Sequence, residues 1–343
     1  CEINDSLFCN VGYRTDIGNI SYAFQYVFKK NLDSVRYQEY GFLNNTNTIL
    51  NQLIYARSYI YMVGATDNSS TNSDILLIKT DTSGNEMWKK KIGLPLWDET
   101  ALSIDTLDGK LIIAGNKYPH NSTATDGFAM LLDTSGAVIW QKTVPTNGGF
   151  GGCMAKRTKD GKILIYNRIK KYSVGSYDYY KLRCEKIDMN NVTIWIKEYG
   201  PSAWLNPYAA IENNDGDLVI CGQKVFTNNT VSGNVYVINQ NGDSLLYKEY
   251  RILPNSQNYF RDVVQAPDKG YCFSGFVSPM NGDGGTQDIW LLKVDSNFCE
   301  SNASCVTGME DSYDQNGISV FPNPASDELQ ITFDNSLSST LVF

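Results

Sequence analysis

The chain has 343 residues, and 29 Lys and Arg against 37 Asp and Glu give a net charge of −8, the wrong sign for a surface that tracks nucleic-acid phosphates. It contains no run of about 18 apolar residues, so no segment is expected to span a bilayer as a helix. A length that suggests about two domains is overridden by an internal repeat, because each copy is one supersecondary unit that needs neighbours.

From the N-terminus, strands are expected around Leu7 to Gly12, Tyr22 to Phe28 and Val35 to Tyr40. The clearest copies of the unit follow, DILLIKTDTSGNEMW (Asp74 to Trp88) and DGFAMLLDTSGAVIW (Asp126 to Trp140), then weaker ones ending at Trp195 and Tyr247, and a shortened one beginning at Asp288. Aligned on the residue that ends the second strand, Gly12, Gly64, Gly115, Asn167, Gly222 and Gly275 are spaced by 52, 51, 52, 55 and 53 residues. Asp108-Gly109, Asp160-Gly161 and Asp215-Gly216 supply tight hairpin turns between strands one and two. DTSG at Asp81 and Asp133, DMNN at Asp188 and NQNG at Asn239 turn strand three into strand four. Four short strands per period with no amphipathic helix describe a propeller blade. The fold class is therefore all-β, a propeller of six four-stranded blades, with seven as the alternative.

The aromatic series Tyr37, Trp88, Trp140, Trp195 and Tyr247 reads as filler between blades. The first blade shows no strand one and the last, ending in CESNASC, no strand four; the first is expected to lie beside the last. The basic stretch Arg168, Lys170, Lys171, Lys181, Arg183 and Lys186 reads as a solvated strand face. Of eight cysteines, Cys299 and Cys305 are the disulfide candidates, while Cys184, Cys221 and Cys272 read as free thiols within strands.

The pattern D-x-x-L-x-K-x-D-x-x-G-x-x-x-W, matched at Asp74 to Gly93 and Asp126 to Trp140 and more loosely around Lys181 and Gly233, resembles the β-propeller repeat of secreted bacterial proteins. That resemblance covers residues 1–300 and implies a fold and secretion, with no common activity. After a polar linker, residues 301–316, GISVFPNPASDELQITF resembles the opening of a type A sorting domain of the type IX secretion system, residues 317–343. Its motif residues here are Pro322, Asn323, Pro324, Asp327 and Leu329. The prolines force an extended entry, and Leu329, Ile331 and Phe333 alternate as a one-sided strand. Such domains are small β-sandwiches, so this copy is read as truncated and the start at Cys1 as processed or cut. The resemblance implies engagement of the type IX secretion machinery and a secreted or outer-surface location after passage through the periplasm.

Chemistry is sparse. His120 is the only histidine, in NKYPHNSTATD, without a serine or acid motif beside it. No zinc spacing or phosphate loop occurs, so no cofactor or metal is expected. Asn281, Asp283 and Asp288 offer oxygen ligands that leave calcium open, without its regular spacing. In a four-strand blade the loops from strand two to three share a face with those from four to one, and here the former are long and polar. Trp97 and Trp204 are not accounted for by the repeat. With Asp98, Asn206, Tyr208 and Tyr259 they are the candidate ligand-binding residues, an aromatic platform with polar neighbours. The leading reading is a non-catalytic, adhesin-like binding module for a glycan, peptide or surface protein. The alternatives are a propeller-type glycoside hydrolase or lyase, which needs two carboxylates about 5–10 Å apart, and a structural component of a surface assembly.

Overall fold

A computed structural model describes residues 1–4, 6–41, 46–68, 72–120, 125–149, 151–175, 177–279 and 287–300, with the backbone of 318–321 and 330–333. The repeats fold as consecutive antiparallel blades. Blade 1 holds β1 (Glu2–Asn4), β2 (Leu7–Thr15), β3 (Ser21–Lys29) and β4 (Ser34–Tyr40). Blade 2 holds β5 (Thr48–Ala56), β6 (Tyr59–Asn68), β7 (Asn72–Asp81) and β8 (Glu86–Ile92), and blade 3 holds β9 (Trp97–Leu107), β10 (Lys110–Pro119), β11 (Asp126–Leu132) and β12 (Val138–Val144). Blade 4 is β13 (Met154–Arg157), β14 (Ile163–Val174), β15 (Tyr177–Ile187) and the first part of β16 (Thr193–Glu212). The second part of β16 opens blade 5, followed by β17 (Leu218–Val225), β18 (Val231–Ile238) and β19 (Ser244–Tyr250). Blade 6 contributes β20 (Ser256–Gln265), β21 (Tyr271–Pro279) and β22 (Asp288–Val294). Blade 1 thus has the first strand that its sequence did not reveal, only three residues long, whereas blade 6 has three strands among the described residues. A hairpin of β23 (Ile318–Phe321) and β24 (Gln330–Phe333) pairs Val320 with Ile331. Pro322, Asn323, Pro324, Asp327 and Leu329 lie outside the described residues.

The glycine register has a steric cause. In blades 2, 3, 5 and 6 the first strand carries a bulge that leaves one residue unpaired: Asn51, Leu102, Tyr208 and Arg261. Opposite each bulge sits the repeat glycine. A Cβ at Gly64, Gly115, Gly222 or Gly275 would overlap the carbonyl oxygen of Ile49, Thr100, Asn206 or Tyr259. Blade 4, where Asn167 replaces the glycine, has no such bulge: pairing of β13 stops at Met154–Tyr166, and Asn167 Nδ2 donates to the Pro145 carbonyl at 3.0 Å.

Apolar cores join blades 1 and 2, 2 and 3, 3 and 4, 4 and 5, and 5 and 6. Five interfaces serve six blades. Among the described residues no core, hydrogen bond or ion pair joins blade 6 to blade 1, which corrects the expectation that the first blade lies beside the last. The burial pattern gives the physical reason. The third strands of the inner blades are buried on both faces over most of their length, whereas β3 and β22 alternate between buried and more exposed positions. Blade 1 leaves stacked Phe8, Phe28 and Tyr26 partly exposed, and blade 6 leaves Ile289 and Leu291 exposed.

The fourth-strand aromatic series also needs correction. Trp88, Trp140 and Trp195 hold equivalent pairing positions next to the turn, and the residues in those positions of blades 1 and 5 are Arg36 and Leu246. Tyr37 and Tyr247 are one residue further along and hence on the other face: Tyr37 lies on Phe24, and Tyr247 on Tyr236 toward blade 4. The true series latches blades 1, 3 and 4 to a turn of the next. Trp140 Nε1 donates to the Met189 carbonyl at 2.8 Å, Trp195 Nε1 to the Gln240 carbonyl at 3.0 Å, and Arg36 Nη1 to the Thr82 carbonyl at 3.1 Å. Four residues on, the hydroxyls of Tyr40, Tyr199 and Tyr250 donate to the carbonyls of Gly84, Gly242 and Phe298.

The basic stretch is not a solvated face either. Arg168, Arg183 and Lys186 are buried. Arg183 pairs with Glu185 and Lys186 with Asp160. Cys299 is disulfide-bonded; its expected partner, Cys305, lies outside the described residues, and Cys184, Cys221 and Cys272 are free thiols.

The bulge argument is tested by Gly115→Ala and Gly222→Ala. Each is expected to destabilise the chain by about 3 kcal/mol, at the upper end for overpacked sites. Gly41→Ala, whose Cβ would meet, among the described residues, only the Thr48 hydroxyl at 3.9 Å, should stay within about 0.5 kcal/mol of the parent. Urea denaturation read by tryptophan fluorescence measures all three, and equal midpoints would remove the steric explanation.

Candidate functional site

Two places gather the polar and aromatic residues left over by the repeat. The first lies between blades 2 and 3, where β9 begins. Trp97 is half-buried, with Lys117 Nζ 5.1 Å from its ring centroid, and Lys117 donates to Thr143 Oγ1 at 2.7 Å. Asp98 accepts the Ser73 N–H at 2.7 Å, and its other oxygen is 3.0 Å from His120 Nδ1. That pairing gives the single histidine the acid neighbour that its own sequence surroundings lack. Glu99, next along the strand, is 2% exposed. One of its oxygens accepts the Leu94 N–H at 3.2 Å and the other has no hydrogen-bond partner. Burial, reinforced by the charges of Asp74 and Asp98, pushes its pKa up to about 7. Among the described residues no group of three His, Cys, Asp or Glu is arranged to hold a metal. Of the calcium candidates only Asp288 is described, at the start of β22.

The second place is an open cleft of ≈ 190 Å³ between blades 4 and 5. Three connections build it. The hairpin of β14 and β15 runs to Val174 and Tyr177, well past the blade body. The hairpin of β17 and β18 turns at Phe226 to Thr230, fixed by Asn228 Oδ1 on the Thr230 hydroxyl at 2.7 Å. Between them β16 crosses from one blade to the next, bent at Gly200, whose φ of +81° few other residues adopt, and sets Trp204 opposite Val225. The Tyr177 hydroxyl donates to the Thr227 carbonyl at 3.1 Å and ties the two hairpins together. The wall is aromatic, made of Tyr177, Tyr179, Trp204 and Phe226, with Asp178 and Lys224 as its charged members. Trp204 is 38% exposed. Lys170, at 2.7 Å, and hydrogen bonds from Ser173 and Tyr180 hold the Asp178 carboxyl below the usual range.

Of the residues singled out from sequence, only Trp204 lines this cleft. Trp97 and Asp98 belong to the first place. Tyr208 and Tyr259 flank Arg261, whose guanidinium lies 4.0 and 5.7 Å from their ring centroids; Tyr259 also stacks on Phe276. Asn206 is half-buried on β16, paired with Gln223. Sequence reasoning passed over Tyr177, Tyr179, Lys224 and Phe226. The available signal was the tyrosine density of the middle hairpin, Tyr172, Tyr177, Tyr179 and Tyr180, at the turn where a blade tolerates extra length.

No protein-family model matches the chain, and no curated protein is similar to it. Among solved structures it is similar to the α-L-arabinanase of Penicillium chrysogenum complexed with arabinobiose, at 9% identity and TM-score 0.50 over 85% of this chain and 94% of that one. It is also similar to the β-propeller domain of the Trilobed protease from Pyrococcus furiosus, at 12% identity and TM-score 0.45 over 84% and 78% of the two chains. A third is the endo-arabinase from Bacteroides thetaiotaomicron VPI-5482, at 10% identity and TM-score 0.42 over 71% and 92%. The first likeness establishes the fold: this chain is a β-propeller.

Glu99 makes a prediction with a definite sign. Its pKa rises from 4.5 in the unfolded chain to about 7 in the folded one, so its stabilising contribution is full below the unfolded value and is lost as pH rises through about 7. Glu99→Gln cannot ionise and is expected to exceed the parent's stability by about 2 kcal/mol near pH 8, with the difference vanishing near pH 4. Thermal melts across that range check it, and a pH-independent difference would show that Glu99 is not the titrating group.

Proposed function

We propose that this chain is a glycan-binding propeller and that the cleft at Trp204 holds the sugar. The observation that carries the reading is the cleft wall. Aromatic side chains in the wall, of which Trp204 is the exposed one, suit the apolar faces of sugar rings, while Asp178, Lys224 and the Thr227 backbone offer orienting polar groups. The two hairpins are tied by the Tyr177 hydroxyl, so little ordering is needed when a ligand enters. Surface display or release through the type IX machinery belongs to the same proposal and rests on the resemblance at Pro322, Asn323, Pro324, Asp327 and Leu329.

Hydrolysis of a glycosidic bond is the second reading. It is supported by the carboxylates Asp74, Asp98 and Glu99, among which burial raises the Glu99 pKa to about 7, the direction that an acid of such a reaction needs. The arabinanase that shares this fold is named for an activity of that class.

A glycan array on the purified chain, with reducing-end release measured on arabinan, separates the two readings. Binding without release supports the first, and release abolished by both Glu99→Gln and Asp98→Asn supports the second. For the binding reading, Trp204→Ala should weaken the strongest array signal at least about tenfold, the scale of one stacked ring. A folded Trp204→Ala variant that keeps the parent's full signal would take the cleft out of the function.

A further inference from the structure

The cleft sits in a local excess of positive charge on a chain whose net charge is −8. Lys224 lines it, Lys170 and Arg251 touch residues that line it, and Arg168 lies one residue further back. Lys224 Nζ and the Arg251 guanidinium lie 4.7 and 4.2 Å from the Phe226 ring centroid. Lys170 pairs with Asp178. Arg168 stands behind the wall, its guanidinium 4.4 Å from the Tyr180 ring centroid, and the Tyr180 hydroxyl bonds Asp178. Among the described residues two carboxylates answer them, Asp178 and Glu249. Glu249 is engaged by Lys224 at 2.6 Å and by the hydroxyls of Tyr247 and Ser232. Two positive charges are left over, Arg168 and Arg251.

Neither has a carboxylate partner among the described residues. Arg168 is 4% exposed, donates one Nη to the Leu205 carbonyl at 3.3 Å, and has an Nε with no hydrogen-bond partner. A buried guanidinium without a carboxylate raises the potential of the wall in front of it, where water screens poorly. Arg251 is exposed and forms no ion pair among the described residues. It lies over Phe226, 4.2 Å from the ring centroid, and a guanidinium fork suits a carboxylate or sulfate.

We propose that the cleft is specific for an acidic glycan, a uronic-acid or sulfated sugar whose anionic group pairs with Arg251 while its ring lies on Trp204. This inference rests on the glycan-binding reading and adds the ligand's charge to it. Neutral sugars would gain the aromatic contact alone, and acidic ones also a charge-assisted pair.

The experiment titrates the whole chain with oligogalacturonate, sulfated galactan, neutral galactan and polyglutamate, following tryptophan fluorescence and calorimetry. At least one acidic glycan is expected to bind about tenfold more tightly than the neutral one. That preference should fall on adding salt and be removed by Arg251→Gln, a surface change that leaves the melting temperature unaltered. Trp204→Ala should weaken acidic and neutral glycans alike. Neutral galactan binding as tightly as both acidic glycans, or an Arg251→Gln variant that keeps the acidic preference, would overturn the charge specificity and leave glycan binding standing. Binding of polyglutamate with no glycan bound, or of nothing, would overturn both.

Discussion

One close contact sets the geometry of the blades: the bulged first strand pressed against a glycine in the second. With a side chain at Gly64, Gly115, Gly222 or Gly275, the carbonyl opposite could not occupy its place, and the bulge would have to flatten. Flattening would withdraw the residues that the bulges project. Asn51 Nδ2 reaches the Ala101 carbonyl of the next blade at 2.8 Å, Leu102 packs against the core of blades 4 and 5, and Arg261 lies on Tyr208 of the preceding blade. A backbone kink inside one blade is thereby converted into a link between blades. Blade 4 departs from the rule and makes its own link through Asn167 and the Pro145 carbonyl.

The outer edge is organised by directional bonds more than by packed filler. Indole N–H, guanidinium and phenol donors from fourth strands reach carbonyls in turns of the next blade, and they fix the rotation of one blade on another where apolar packing alone would tolerate sliding. The cleft depends on that rotation. Its two hairpins belong to different blades, and their ends meet because Trp195 and Tyr199 anchor blade 4 to the Gln240–Gly242 turn of blade 5.

The repeat was legible because its period and its turn dipeptides survive divergence, and the strand count per blade follows from them. The bulge was not legible: a glycine at a strand end has many causes, and the partner carbonyl lies some 15 residues away in sequence. Tyr37 and Tyr247 misled for a simple reason. Sequence alignment rewards an aromatic wherever it falls, whereas a strand sends neighbours to opposite faces, and only the pairing register shows that Arg36 and Leu246 hold the equivalent positions. Trp204 was recognisable as surplus to the repeat. Its cleft partners were not, because Tyr177 and Phe226 lie at hairpin ends, where no two blades are alike. The burial of Arg168, Arg183 and Lys186 was likewise hidden, since alternation of charge along a strand does not say how closely the next blade covers it.

Among the described residues five cores serve six blades, and that bears on how the molecule loses its structure. A closed cycle must break two interfaces before any blade departs, and so melts as a unit. In a linear series the first and last blades are each held by one interface, and stability becomes a sum over neighbours in which the ends are the weakest members. Amide protons of β1–β4 and β20–β22 are then expected to exchange through partial opening, those of blades 3 and 4 only through global unfolding. The cleft between blades 4 and 5 falls near the protected middle, so its walls should keep their spacing while the ends fray.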